Sequence, residues 1–349
     1  MSVTDRLDAL QRRIPALGFP LAVLYKFFDD GGNYLAALIS YYGFLSFFPL
    51  LLLLSSILGY TLAGNPELQQ QVLDSALSQF PVIGQQLSSP AGLRGSATAV
   101  VVGILASVYG GIGVAQAVQH AMNSAWGVPI VRRPNALVAR LRSLLLLAAG
   151  GLALIATTIL AGLGASPQVA GLDLGVGVQL LSSALSVVIN AALLVVVFRI
   201  ATARRLTLRQ AAPGAVCAAL VWVLLQSFGA TYVDRVVNRA SETNGVFALV
   251  LGMLAWIYLS AVAFVLCVEI NVVRVKRLYP RSLLTPFTDD VDLTHGDARA
   301  YTDAAVAQRA KGFQSVDVSF EGEGRDAHGR RIRRRRPSRR AGGEPPTPE

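Results

Sequence analysis

Three histidines, His120, His295 and His328, and two cysteines, Cys217 and Cys267, make up this chain's supply of soft metal ligands. No two of them share a spacing that would set them around one ion, and no Gly-Lys-Ser/Thr phosphate loop accompanies them. A water-activating nuclease needs histidine and carboxylate ligands gathered around a metal, so the sequence predicts no enzyme and no cofactor. The remaining polar chemistry is sparse and sits in apolar surroundings: Gln116 and Gln119, Asn190, Gln226, Glu269 and Asn271. A polar side chain in such a setting marks either a hydrogen bond between helices or a polar route, and both readings stay open. Glu269 is the one acid at the edge of an apolar run, and pairing with Arg199 or Arg274 is the structural alternative to a role in a route.

The elements that hold these residues follow from composition. Charged residues are 15% of the 349 and hydrophobic ones 53%, with a mean hydropathy of +0.51. Soluble domains carry about 25% charged residues, so a soluble enzyme is excluded. Six apolar stretches lie near 36–60, 97–118, 143–163, 177–198, 213–233 and 246–270. Each exceeds the ~20 residues that a helix needs to cross a bilayer. The runs are continuous rather than alternating, which favours helices over barrel strands. The predicted fold is all-α: a six-helix transmembrane domain over 31–273. Residues 1–30 form a cytoplasmic N-terminal segment without the features of a removable signal peptide. Pro49 should kink the first span, and Gly110, Gly111 and Gly113 permit a hinge or close packing in the second. Cys217 and Cys267 fall inside spans and read as packing residues.

Charge sets the orientation. Of the 31 Lys and Arg, 28 fall in one set of alternate flanking segments and 3 in the other. Positive residues stay on the cytoplasmic side, so both termini are expected there, in an inner (cytoplasmic) membrane. The first outside connection, 61–96, carries Leu68, Val72, Ala76, Phe80, Ile83 and Leu87 at helical spacing, which predicts an amphipathic helical hairpin. From 274 to 349 apolar periodicity fades, and eight Arg crowd into Arg330–Arg340. That composition predicts a largely disordered basic tail. Arg333, Arg334, Arg335 and Arg336 would contact anionic lipid headgroups, each nearby base adding about 1 kcal/mol. Membrane lipids are the expected partners; nucleic acid is not, because no recognition module accompanies the basic run.

Three segments resemble one family. Ala36 to Leu51, with Tyr41, Tyr42, Ser46 and Pro49, is similar to the "A-YY--LS-FPLLL" signature of the YihY/virulence factor BrkB family. Tyr109-Gly110-Gly111-Ile112-Gly113, running on to Asn123 and Trp126, looks like that family's glycine-rich helix and "N--W" exit. Trp256-Ile257-Tyr258-Leu259-Ser260 with Glu269-Ile270-Asn271 matches its "W-YLS … E-N" close. The chain departs from the pattern at Asn244-Gly245, where many members place a tyrosine before the glycine. The resemblance implies a polytopic inner-membrane protein with six helices. Some members carry the label ribonuclease BN, which the histidine and carboxylate content here does not support. The expected function is to move, or help move, an amphiphile or small solute across the membrane. The alternative is a non-transporting envelope scaffold that recruits partners or anionic lipid through its tail.

Overall fold

The computed structural model describes residues 3–61, 97–165, 175–232, 242–285, 291 and 293–320. Among them the protein is all-helical. Two shorter helices, α1 (Val3–Arg13) and α2 (Pro15–Asp29), precede six long ones: α3 (Gly32–Thr61), α4 (Ala97–Ala125), α5 (Ala136–Ala165), α6 (Gly175–Ala201), α7 (Leu208–Tyr232) and α8 (Glu242–Lys276). A short helix, α9 (His295–Ala307), follows. Each apolar stretch of the sequence falls within one long helix, apart from residue 233 at the end of the fifth stretch, and the helices run up to seven residues further. Within the described residues, Ala184–Ala201, Leu208–Gln226 and Val250–Lys276 are long and apolar enough to cross a membrane. The predicted outside hairpin over 61–96 falls almost wholly outside the described residues, as does Arg330–Arg340.

Glycines set how closely the long helices approach. A Cβ on Gly110 would stand 2.6 Å from Ser46 Cβ, and one on Gly113 2.2 Å from the Tyr42 ring, so α4 lies directly on α3. A Cβ on Gly111 would come within 2.9 Å of Leu147 of α5. These glycines therefore serve close approach, and α4 runs unbroken through them. The helix α3 likewise continues through Pro49. Gly127, at φ +59, ends α4 in the left-handed conformation that favours glycine.

Burial is uneven. Met122, Ala125, Trp126, Phe198, Ala211, Val268 and Val272 form a close-packed cluster at the end where α4, α6 and α8 finish and α7 begins. Away from it the long helices show outward apolar side chains, such as Leu105, Leu145, Leu152, Leu181 and Leu251, each more than half exposed. Exposed apolar area on this scale suits lipid rather than water. The N-terminal pair continues the pattern, with Leu10, Ile14, Leu17, Leu24 and Phe28 exposed at helical spacing.

Residues 3–30 fold largely as α1 and α2, and Ala22, Val23 and Phe27 are buried. The expectation of a largely disordered tail from 274 needs correction over residues 274–285 and 293–320, which the structure describes. The helix α8 runs to Lys276, and α9 starts on a capping box in which the Thr294 hydroxyl and the Asp297 carboxylate exchange hydrogen bonds with each other's backbone N–H. Polar docking supplies the order that apolar content could not. Arg281 is 1% exposed and pairs with Asp297 at 2.5 Å and with Asp29 at 2.9 Å.

Candidate functional site: ionisable side chains at one end of the helices

Glu269 lies on α8 seven residues before its end and is fully buried. Neither Arg199 nor Arg274 pairs with it; their guanidinium groups donate to the carbonyls of Leu206 and Arg209 instead. The groups facing Glu269 come from the N-terminal side: Lys26, near the end of α2, and Asp30, its C-cap residue. Lys26 and Asp30 form an i,i+4 ion pair with both side chains nearly buried. The helix α2 puts them there because Gly18, Ala22 and Lys26 share the face that packs inward. Burial pushes the Lys26 ammonium down, but the facing carboxylates of Glu269 and Asp30 outweigh it and hold Lys26 above its ordinary value. Burial lifts the Asp30 carboxyl above the usual range, although Lys26 opposes it. Among the described residues the Glu269 carboxyl meets no N–H donor, and the carboxyl of Asp30 is the group within hydrogen-bonding reach of it. Two ammonium groups, Lys26 and the more distant Lys276, and the carboxyl of Asp30 thus act on one buried carboxyl.

Asn271, two residues further along α8, is buried and has a structural task. Pro213 interrupts the first turns of α7. The Asn271 side chain accepts from the Gly214 N–H at 2.8 Å and donates to the Ala211 carbonyl at 3.0 Å. The contact needs a glycine, because a Cβ on Gly214 would sit 2.2 Å from the Cys267 carbonyl oxygen.

The other polar residues singled out from sequence are not drawn into this cluster. Gln116 is exposed, on the same face of α4 as Leu105, Tyr109 and His120, because the inward face is filled by Gly113, Ala117 and Ala121. Asn190 and Gln226 are half-buried partway along α6 and α7. Tyr41 is exposed, and the Ser46 hydroxyl donates to the Gly43 carbonyl of its own helix.

Lys26 and Asp297 escaped the sequence reading as site residues, while Asn123 and Gln119, both named there, tie helices together. The Asn123 side chain accepts from the Ala203 N–H at 2.8 Å, tying α4 to the connection between α6 and α7. Gln119 donates to Ser143 of α5 at 2.9 Å. The buried face of α2 carried the signal for Lys26, and the Thr-x-x-Asp pattern at Thr294 carried the signal for Asp297.

The fold and this cluster define a class: an all-helical membrane protein whose buried charges gather where its ordered connections meet. More specifically, the chain belongs to the family described as virulence factor BrkB, whose model matches residues 23–288. Two relatives are similar to it. YfkH of Bacillus subtilis, named as a ribonuclease-like protein, is 26% identical over 260 residues, covering 70% of this chain and 91% of YfkH. YhjD of Escherichia coli, named as an inner membrane protein, is 29% identical over 115 residues, covering 32% of this chain and 34% of YhjD. No solved structure matches the chain.

Proposed function

We propose that this protein is an inner-membrane protein of six membrane-spanning helices, with both termini cytoplasmic, that moves or helps move an amphiphile or small solute and is not an enzyme. The observation that carries the reading is Glu269. A fully buried carboxyl on a span, facing Lys26 and Asp30, is a costly arrangement. Membrane proteins keep such groups where charge or protons are handled. A buried cluster of ionisable groups at the end of the spans is a place where passage of a solute would be controlled. The 28-to-3 split of basic residues supports the orientation. Reporter fusions near residues 20 and 205 should read cytoplasmic, and fusions near 75 and 168 outside. Function is tested by complementation of a deletion strain together with the abundance of folded protein. Glu269→Gln keeps shape and removes charge; it should abolish complementation at near-normal abundance. Asn190→Leu and Gln226→Leu should do the same if they line the route. Full complementation by all three variants refutes the transport reading and leaves the scaffold.

A further inference from the structure

A cavity of about 700 Å³ opens at the end of the helices where the connections α4–α5 and α6–α7 meet α9. Four basic side chains line it, Arg132, Arg204, Lys276 and Arg299, against a single acid, Asp303. That acid is already committed. The Lys276 ammonium pairs with Asp303 at 2.9 Å and donates to the Trp126 carbonyl at 2.8 Å. The three guanidinium groups make no ion pair among the described residues. Arg204 lies over the Trp126 ring at 5.4 Å, and Arg299 donates to the Lys276 carbonyl at 3.4 Å. Both are thereby oriented without being neutralised.

Three uncompensated guanidinium groups around one opening repel one another, and a multivalent oxyanion relieves that repulsion. Their planar donor forks match phosphate oxygens in pairs. The volume falls within the ~300–1,000 Å³ range of small-ligand sites. The surroundings add an apolar side. The connection bearing Arg132 also exposes Ile130 and Val131, and it leads into α5, where Leu137, Leu141 and Leu144 are exposed.

We propose that this cavity binds a phosphate-bearing anion, whether the headgroup of an anionic phospholipid or a free phosphate, through Arg132, Arg204 and Arg299. The site neighbours the Lys26–Asp30–Glu269 cluster, since Lys276 acts on both, but its three arginines lie outside that cluster and the proposal holds whether or not the protein transports.

The test uses the purified full-length protein in nanodiscs. In mixed phosphatidylcholine and phosphatidylglycerol discs, native mass spectrometry reads which lipid stays bound. In pure phosphatidylcholine discs, calorimetry reads binding of inorganic phosphate. Arg132→Gln/Arg204→Gln should lose at least about tenfold in binding, the scale expected when charge-assisted hydrogen bonds are removed. Arg299→Gln, on a different element, is an independent second variant. Arg140→Gln, an exposed arginine away from the cavity, should bind like the unaltered protein. Unchanged unfolding midpoints verify the fold. Retained phosphatidylglycerol without phosphate heat assigns the site to a lipid headgroup; phosphate heat that competes with the lipid assigns it to free phosphate; either upholds the proposal. It is overturned if the unaltered protein binds neither ligand, if the cavity variants bind as well as it does, or if Arg140→Gln loses as much as they do.

Discussion

Replacing Arg281 with Met should release α9 from the rest of the protein. The guanidinium is 1% exposed and joins two segments far apart in sequence, Asp29 at the end of α2 and Asp297 in the first turn of α9. Tyr25 and Tyr301 flank it at 5.9 and 5.4 Å. Breaking a buried ion pair by removing one partner costs about 3–5 kcal/mol, because the other charge stays buried. Here the lower end applies. Asp297 keeps the backbone N–H groups of Ser282 and Thr294 and the Thr294 hydroxyl as donors, and Asp29 is partly exposed and can turn to solvent. A loss of about 3 kcal/mol raises the opened fraction of α9 by roughly a hundredfold. Hydrogen exchange of the amides in 293–307 reads that fraction directly, and trypsin cleavage after Arg299 or Arg309 reports it independently. Lys311→Met, at an exposed position, is the control. Unchanged exchange across α9 in Arg281→Met would show that the helix is held by something else.

Three further outcomes follow from the packing. Asn271→Leu strands the Gly214 N–H and the Ala211 carbonyl, each worth about 1–3 kcal/mol when buried and unpaired, so its unfolding midpoint should fall; an unchanged midpoint would mean that α7 closes the gap itself. Gly214→Ala, with its Cβ 2.2 Å from a backbone oxygen, should lose about 1–3 kcal/mol by overpacking. Gly150→Ala, with open space around it, should be neutral or gain about 0.5–1 kcal/mol, and the reverse order of the two would contradict the close approach of α7 and α8. At alkaline pH the folded state should weaken. Lys26 and Tyr25 both hold their protons above their ordinary values of 10.5 and 10.0, so their contribution is complete below those values and is lost as pH rises through the folded ones. A midpoint that stays flat from about pH 9 to 12 would refute that assignment.

What was legible in the sequence follows from which physical signals are local. A continuous apolar run of bilayer length is visible residue by residue, so all six long helices could be placed from hydropathy alone. Glycine at close contacts could be seen too, but not the choice between hinge and packing, because that depends on what stands opposite: Ser46 for Gly110, Tyr42 for Gly113. Glu269 drew attention as an isolated acid, whereas its partners, Lys26 and Asp30, lie in a segment whose composition suggested only a charged lead-in. The region after Arg274 misled for the same reason. Disorder arguments count apolar residues, and α9 is held by ion pairs and a capping box instead. Polar docking across long sequence distance leaves no compositional trace.

The family match ends at residue 288, yet Asp297, the buried partner of Arg281, lies beyond it. The same short helix carries Arg299 and Asp303, which line the basic cavity together with Arg132 and Arg204 from the family region. The clamp and the cavity therefore share one support. Asp297 fixes where α9 begins, and Arg299 and Asp303 follow two and six residues along it. If α9 is released, Arg299 leaves the cavity, and Lys276 loses its pairing with Asp303 while remaining on α8. Arg281→Met should then weaken phosphate binding although Arg281 does not line the cavity. Combined with Arg299→Gln it should add less than it does alone, since both remove the same guanidinium from the site. Measured on the same nanodisc samples, additive losses from the two changes would show that the cavity and the clamp are independent.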